Sequence, residues 1–556
     1  MKRNRVYPGI RFAGCDFANT MGIIVRENLV DNVMKVDDGN GDYPKGFMHT
    51  STTPFGTPNY YGDMWSRDAG RGIQELVRYG FIDEAESCVD FALSAGNLKD
   101  GHWGRVINSE RAEDEVDGNT HMLLAVYSVW KARGKSKELG EKYVEKCMPI
   151  FQWLINMMEN CPYGYLPACN SELSGNPDTD YKVYAVFPGY GVLVSLKAFS
   201  EMAAVSGNDA EAIFKAAADK LADSMIEALV SKGCENHEQW TLVPEGVWLN
   251  GLDSRNGKAS EMGRFGYAYF RTNKWTRQLP FIQDYDIGKD ILTSDKMDIV
   301  NRISYEYIRQ EMAKGYLFRK YGFVSCTCWE GMAGRHDDTM AGYGQNYMSQ
   351  AALLNDDVNT YTKCLEGIAR LAYDGDIIIP ATKDKNPWIM HECFTYENYE
   401  QALDHTYGRT GDPTRSIMHN PGDEGNLVQA CETLKTIAIV TGISSENDTL
   451  VIKPRLPWTW NEMELRDYPV YTADGEIVRI NLLYRNERWL SKSSVTVSGA
   501  EKFKEIKVRF GPYPYAMSNE NELSDRYEIE KTENASWIWK SCKADKVNNI
   551  ELDLVY

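Results

Sequence analysis

Between about residues 68 and 440 the chain alternates two kinds of connection, and this restricts its fold more than any other feature. Short turns at 80–83, 134–136, 207–209 and 355–357 alternate with long loops rich in Trp, Asp, Glu and Gly. Between them apolar residues recur at helical spacing: Ile73, Leu76 and Val77, then Ala85, Cys88, Val89, Ala92 and Leu93. Helices are expected over 68–79, from 83 onward, and over 122–130, 137–158, 190–205 and 209–230. Further helices are expected around 266–275, 295–314, 339–354, 358–373 and 427–440. A tight turn joins two helices into an antiparallel hairpin. If such hairpins curl into a ring, every long loop falls at one end. The expected fold class is therefore mainly α, an (α/α)6 toroid (six-hairpin barrel) with a cleft at the loop-bearing end. No fixed sequence period is present, which argues against a repeat solenoid.

The flanks read differently. Residues 1–58 mix short apolar runs with Gly, Pro, Asn and Thr, and predict an irregular segment with short strands, one around 22–26. The barrel then occupies 59–442. Beyond Gly442, Leu450-Val451-Ile452, Ile477-Val478-Arg479-Ile480, Val495-Thr496-Val497 and Ile506–Phe510 cluster or alternate as strands, with Asp474-Gly475 as a hairpin turn. A small C-terminal β domain, a sandwich, is expected over 443–556.

Composition excludes some partners. With 80 Asp+Glu against 61 Lys+Arg, a formal charge of −19, nucleic acid and anionic membrane are poor matches. The N-terminus starts basic, but no 7–15-residue apolar stretch follows, and no run of 18 apolar residues occurs. The 12 cysteines are scattered, with Cys326 and Cys328 the one close pair and no second pair at zinc-site spacing. These features predict a cytoplasmic protein with reduced, buried thiols. The oligomeric state has no signature.

Chemistry is expected on the long loops. The first ends in Asn59-Tyr60-Tyr61-Gly62-Asp63-Met64-Trp65-Ser66-Arg67-Asp68, where flat aromatics stand beside fixed donors and acceptors, as a sugar ring requires. Read plainly, Asp68 caps a helix. Glycoside cleavage needs two carboxyl groups on opposite sides of the scissile bond, one protonated and one ionised. Glu172 and Glu330 come from different turn-rich loops, and Trp329 can stack on a sugar beside Glu330. They are the candidate catalytic pair; Asp63, Asp178, Asp338 and Glu424 are reserves. His336-Asp337-Asp338 is not a metal-ligand set, because sequence neighbours point apart, so no metal and no cofactor are expected. Phosphate-loop, dinucleotide-binding and serine-hydrolase motifs are missing from the sequence.

Tyr61–Asp68, leading into Ala69-Gly70-Arg71-Gly72, resembles the Trp-x-Arg-Asp loop of glucoamylase-like (α/α)6 glycoside hydrolases. The resemblance implies that Arg67 and Asp68, with Trp65, hold the terminal sugar, and that Asp117 in Glu115-Val116-Asp117-Gly118 borders the cleft. Glu172 stands where such enzymes keep a general acid, although trehalase and α-glucosidase relatives use an Asp. The stretch from Gly442-Ile443 to Leu456-Pro457 is similar to the exit from barrel to β domain in α-L-rhamnosidase-like enzymes and related disaccharide phosphorylases. Trp329-Glu330 resembles the rhamnosidase base loop, and His336 and Asp337 follow it. The double-Glu acid loop of glucoamylases is missing, so starch specificity does not carry over.

The expectation is an inverting glycoside hydrolase that removes a terminal sugar from an oligosaccharide or glycoside. Two alternatives stay open. One is a polysaccharide lyase or disaccharide phosphorylase on the same barrel, with Tyr396, His391, His405 and Arg409 as lyase candidates. The other is a noncatalytic carbohydrate-binding protein.

Overall fold

The computed structural model describes residues 5–50, 63–107 (without 95 and 99), 115–169, 183–233, 244–260 (without 250), 295–313, 318–319, 322–323, 339–373, 388, 390, 393–395, 427–487, 492–513, 526–532 and 535–554. Eleven α-helices are described: α1 (Asp16–Asn28), α2 (Ser66–Arg78), α3 (Ile82–Ala92), α4 (Val116–Ala132), α5 (Lys137–Glu159), α6 (Val186–Ser206), α7 (Ala210–Leu229), α8 (Asp295–Ala313), α9 (Gly342–Leu354), α10 (Val358–Tyr373) and α11 (Leu427–Thr441). The helix expected around 266–275 lies outside the described residues.

Each short turn read from sequence closes a hairpin: α2/α3, α4/α5, α6/α7 and α9/α10. Gly80, Gly134 and Gly207 take positive φ at the first three, a conformation in which a side chain is strained. The fourth turn gives that conformation to Asp356, at φ 51°.

The first helices of these hairpins lie side by side in parallel. Ser66 of α2 faces Gly118 of α4, and Gly70 faces His121. Gly191 of α6 meets Thr120 of α4, Tyr79 just after α2 donates to the Leu434 carbonyl of α11, and Asn346 of α9 donates to Thr433 of α11. The series is therefore α9, α11, α2, α4, α6, in which the last helix of the region packs against the first. Their N-terminal ends share one level, and the long loops lead into that end.

The strand expected around 22–26 is instead helix α1. The run Ile23-Ile24-Val25 is β-branched, but the buried residues Ala18, Met21, Ile24, Val25 and Asn28 follow the helical period. Packing overrides local propensity here. A Cβ on Gly22 would meet the Ile10 carbonyl oxygen at 2.2 Å, so α1 lies directly on the strand Gly9–Ala13. That strand pairs antiparallel with Glu462–Tyr471 in the C-terminal sheet, while α1 packs on α10 and α11. The N-terminal segment thus joins helical and sheet regions.

The C-terminal region holds two five-stranded sheets. The first runs Gly9–Ala13, Glu462–Tyr471, Ile477–Glu487, Lys492–Ser498, Val547–Asp553, all antiparallel. The second contains Thr449–Ile452 parallel to Glu505–Tyr513, followed by Ser536–Lys543 and Glu528–Lys531. Tyr484 and Asn486 of the first sheet donate to the Gly511 carbonyl of the second, and Tyr484 stacks on Phe510 at 5.9 Å. Val478, Ile480 and Leu482 of the first sheet and Val508 and Phe510 of the second are all buried in one core.

A buried ion pair fastens this region to the helices. Asp356, in the α9/α10 turn, takes both Arg509 Nη atoms at 2.8 Å, and Arg455 Nε lies 3.3 Å away. Arg509 is fully buried and stacks on Trp537 at 3.8 Å. Burial opposes ionisation of Asp356, yet the charges of Arg509, Arg455 and Lys453 hold its carboxyl below the usual range. Lys453 is left with burial and two neighbouring guanidinium groups, which lower its ammonium to about 8.

Asp356→Asn leaves Arg509 buried beside a neutral amide, and is expected to cost about 3–5 kcal/mol in denaturant unfolding. Between about pH 8 and the ordinary lysine value of 10.5, the unfolded chain binds more protons at Lys453 than the folded one. The Lys453 contribution to stability therefore rises with pH across that window. Wild type minus Lys453→Met should accordingly grow in unfolding free energy from pH 7.5 to 10 in paired denaturant titrations.

Candidate functional site

The strand Met64–Trp65 pairs with Val106–Ile107 immediately before α2, tying the stretch ahead of α2 to the stretch ahead of α4. The Ser66 amide donates to the Arg105 carbonyl at 2.9 Å, which starts α2 beside that strand. Ala168–Cys169, paired with Val183–Ala185, stands in the same way before α6, and Thr339–Ala341, paired with Cys393–Thr395, before α9. Small sheets therefore root the loop-bearing end.

Arg67 is the centre of the described site. Its guanidinium pairs with Glu115, and its Nε lies 2.9 Å from Asp117 Oδ2. Glu115 is fully buried ahead of α4, and Asp117 is buried in the first turn of α4, where the helix N-terminus favours negative charge. Glu115 also lies 3.4 Å from Arg105 Nε and 3.5 Å from Ser66 Oγ. The Arg105 guanidinium sits over the half-buried Trp65 ring, 5.5 Å from its centroid. Asp68 is buried in the first turn of α2. The structure thus brings together Trp65, Arg67, Asp68 and Asp117, the substrate-binding candidates on the first two loops.

Such closeness needs small residues. A Cβ on Gly118 would stand 2.1 Å from Ser66 Oγ, and one on Gly70 would stand 2.5 Å from the His121 carbonyl carbon. The other candidates, Glu172, Glu330, Trp329, His336 and Asp337, lie outside the described residues, as do Asp178, Asp338, Glu424, His391, Tyr396, His405 and Arg409.

Sequence reasoning missed a second tier further along the helices: Arg71, His121, Tyr347, Gln350 and Glu432. Arg71 Nη1 lies 3.3 Å from Glu432 Oε1, and Arg71 Nε donates to His121 Nε2 at 3.2 Å. The available signal was the spacing of Arg67, Asp68, Arg71, Glu75 and Arg78 along one face of α2, all of them buried or nearly so. Beside this tier, burial and the charges of Glu75 and Glu432 hold the Cys431 thiol well above its usual range, so it stays protonated.

Cys15, Cys88, Cys147, Cys161, Cys364, Cys431 and Cys542 are free thiols; burial pushes Cys364 up to about 12. Cys326 and Cys328 lie outside the described residues. Among the described residues no group of three or more His, Cys, Asp or Glu side chains is placed to hold a metal ion. No described helix is long and apolar enough to cross a membrane.

No protein-family model matches the sequence, and no curated protein matches it. Solved structures do resemble it. An α-L-rhamnosidase from Streptomyces avermitilis, complexed with L-rhamnose, aligns at TM-score 0.56 and 10% identity over 99% of this chain and 42% of its own. An α-L-rhamnosidase from Dictyoglumus thermophilum aligns at TM-score 0.53 and 12% identity over 99% of this chain and 50% of its own. A GH78 family rhamnosidase from Bacillus sp. GL1 aligns at TM-score 0.54 and 12% identity over 86% of this chain and 40% of its own. The chain has an α-L-rhamnosidase-like glycoside hydrolase fold and spans half or less of the length of these three proteins.

Removing Arg67 would take the paired guanidinium away from two buried carboxylates. Arg67→Ala is expected to lower unfolding free energy by about 3–5 kcal/mol at neutral pH. Denaturant titrations of both proteins at pH 7 check this.

Proposed function

We propose that the protein is a glycoside hydrolase that removes a terminal sugar from an oligosaccharide or glycoside. Its helices would form a closed (α/α)6 toroid. The carrying observation is the tier of Trp65, Arg67, Asp68, Glu115 and Asp117 at the end where five parallel helices begin and the long loops arrive. The rhamnosidase-like fold supports the same reading. Within it, Trp65 offers a ring edge, and Arg67 and Asp68 hold sugar hydroxyls with Asp117 behind them. Arg67 faces two carboxylates, so the tier has no surplus positive charge to attract an acidic sugar. A neutral sugar fits better than the uronic acid that a lyase would require.

In the proposed mechanism Glu172 protonates the departing oxygen and Glu330 activates a water on the opposite face of the ring. Trp329, His336 and Asp337 line the same cleft. Inversion requires the two carboxyl groups to stand about 6.5–9.5 Å apart, whereas about 5–5.5 Å would mean retention. Nucleic acid and membrane have no place in this reading, and it is compatible with a cytoplasmic setting.

A panel of aryl glycosides, with and without orthophosphate, tests the activity. Release of the free sugar without phosphate is expected. A requirement for phosphate would make the enzyme a phosphorylase, and an unsaturated product absorbing in the ultraviolet would make it a lyase. On a cleaved substrate, Glu172→Gln and Glu330→Gln should each reduce turnover by about 10²–10⁴-fold with unchanged melting temperature. Near-normal turnover in both variants would remove the pair from the mechanism.

A further inference from the structure

The charged face of α2 continues below the Arg67 tier. Arg71 lies one turn further along the helix, about 6 Å down its axis. Its guanidinium reaches three neighbouring helices. Nη1 is 3.3 Å from Glu432 Oε1 on α11, and Nε and Nη2 are each 3.2 Å from His121 Nε2 on α4. The group also lies over the Tyr347 ring of α9, 5.7 Å from its centroid. From below, Gln350 Nε2 donates to Glu432 Oε2 at 2.9 Å. Exposure falls along this line: the Arg67 side chain retains 12%, Arg71 and Glu432 5% each, and Gln350 none. The Arg71 side chain thus touches residues of three other helices, with Gln350 buried beneath it.

We propose that Arg71 and Glu432 form the floor of the cleft and determine specificity by reading a hydroxyl on the innermost edge of the terminal sugar. This rests on the glycoside-cleaving reading above. A carboxylate offers about four acceptor positions on its two oxygens. On Glu432, Arg71 and Gln350 each engage one oxygen, so the carboxylate can accept an O–H from a ligand as well. Arg71 holds the Glu432 carboxylate in place, and a carboxylate–guanidinium pair suits a neutral sugar. A sugar lacking that hydroxyl would cover a charged floor without bonding to it. Sites built to bond a hydroxyl reject the deoxy analogue strongly for this reason.

The test compares wild type with Arg71→Met/Glu432→Gln on a cleaved aryl glycoside and each of its monodeoxy analogues. Replacing both members of a buried ion pair by uncharged groups of similar size is often tolerated. Should the double variant fail to fold, Glu432→Gln alone keeps the shape and takes its place. In wild type, one deoxy position should lower kcat/KM by about 100-fold or more. In the variant that penalty should shrink at least tenfold, with the loss on the parent glycoside carried mainly by KM, while the other deoxy penalties stay as they were. Equal deoxy penalties in both folded proteins would overturn the proposal. If wild type cleaves no glycoside, the functional reading fails separately. The floor is then judged by calorimetric binding of free monosaccharides and their deoxy forms: discrimination lost in the variant supports it, and equal discrimination or no binding refutes it.

Discussion

Helices α2 and α4 lie so close that only glycine fits where they cross. A Cβ at Gly70 would press on the His121 backbone, and one at Gly118 on Ser66 Oγ. Most of the site follows from this contact. At that separation Arg67, in the first turn of α2, reaches Glu115 and Asp117 at the start of α4. Gly191 against Thr120 repeats the arrangement between α4 and α6. Parallel helices in close contact bring their N-terminal ends to one level, and a helix N-terminus tolerates buried acidic groups because its unpaired amides and dipole favour negative charge. The acidic residues of the site stand there, with Arg67 to neutralise two of them.

The sheet region is fixed to this helical array by charge rather than by apolar contact alone. Asp356 is held by Arg509 and Arg455, and the bond crosses from a hairpin turn to a central strand. Tyr471 adds a hydrogen bond to the Val77 carbonyl of α2, and the Asp474-Gly475 turn packs against Gly134. The sheets thus brace the turns at the end of the helices opposite the site. Burying three cations around Asp356 and the half-exposed Glu530 explains why Lys453 holds its proton less tightly than an ordinary lysine.

The helical hairpins were legible because turns and apolar periods are local signals. Gly80, Gly134 and Gly207 stand where the chain reverses, and α5 and α10 match their expected spans closely. The strand read at 22–26 failed because β-branched residues belong to strands only when one face is covered with period two. Here α1 packs on α10, α11 and the first strand with a period of three to four. The Arg67 tier was half legible: Trp65, Arg67, Asp68 and Asp117 stand out by residue type, whereas the burial of Glu115 does not. Arg71 was marked only by its place on the charged face of α2, and Glu432 by nothing. A charged helix face ordinarily turns to solvent, and their pairing spans 361 positions in sequence between helices that only the packed array makes neighbours.

The sequence by itself determined where the helical hairpins turn, that several stretches after Gly442 form strands, and that aromatic and charged residues collect in the loops before alternate helices. Each of these is written in contacts between residues a few positions apart. The tertiary structure alone decided which face of α2 points inward, that the N-terminal strand completes the C-terminal sheet, and that four helices meet at Arg71. Those are matters of which distant surfaces bury one another. That choice is made by the summed packing of the whole chain, to which no short stretch of sequence holds the key.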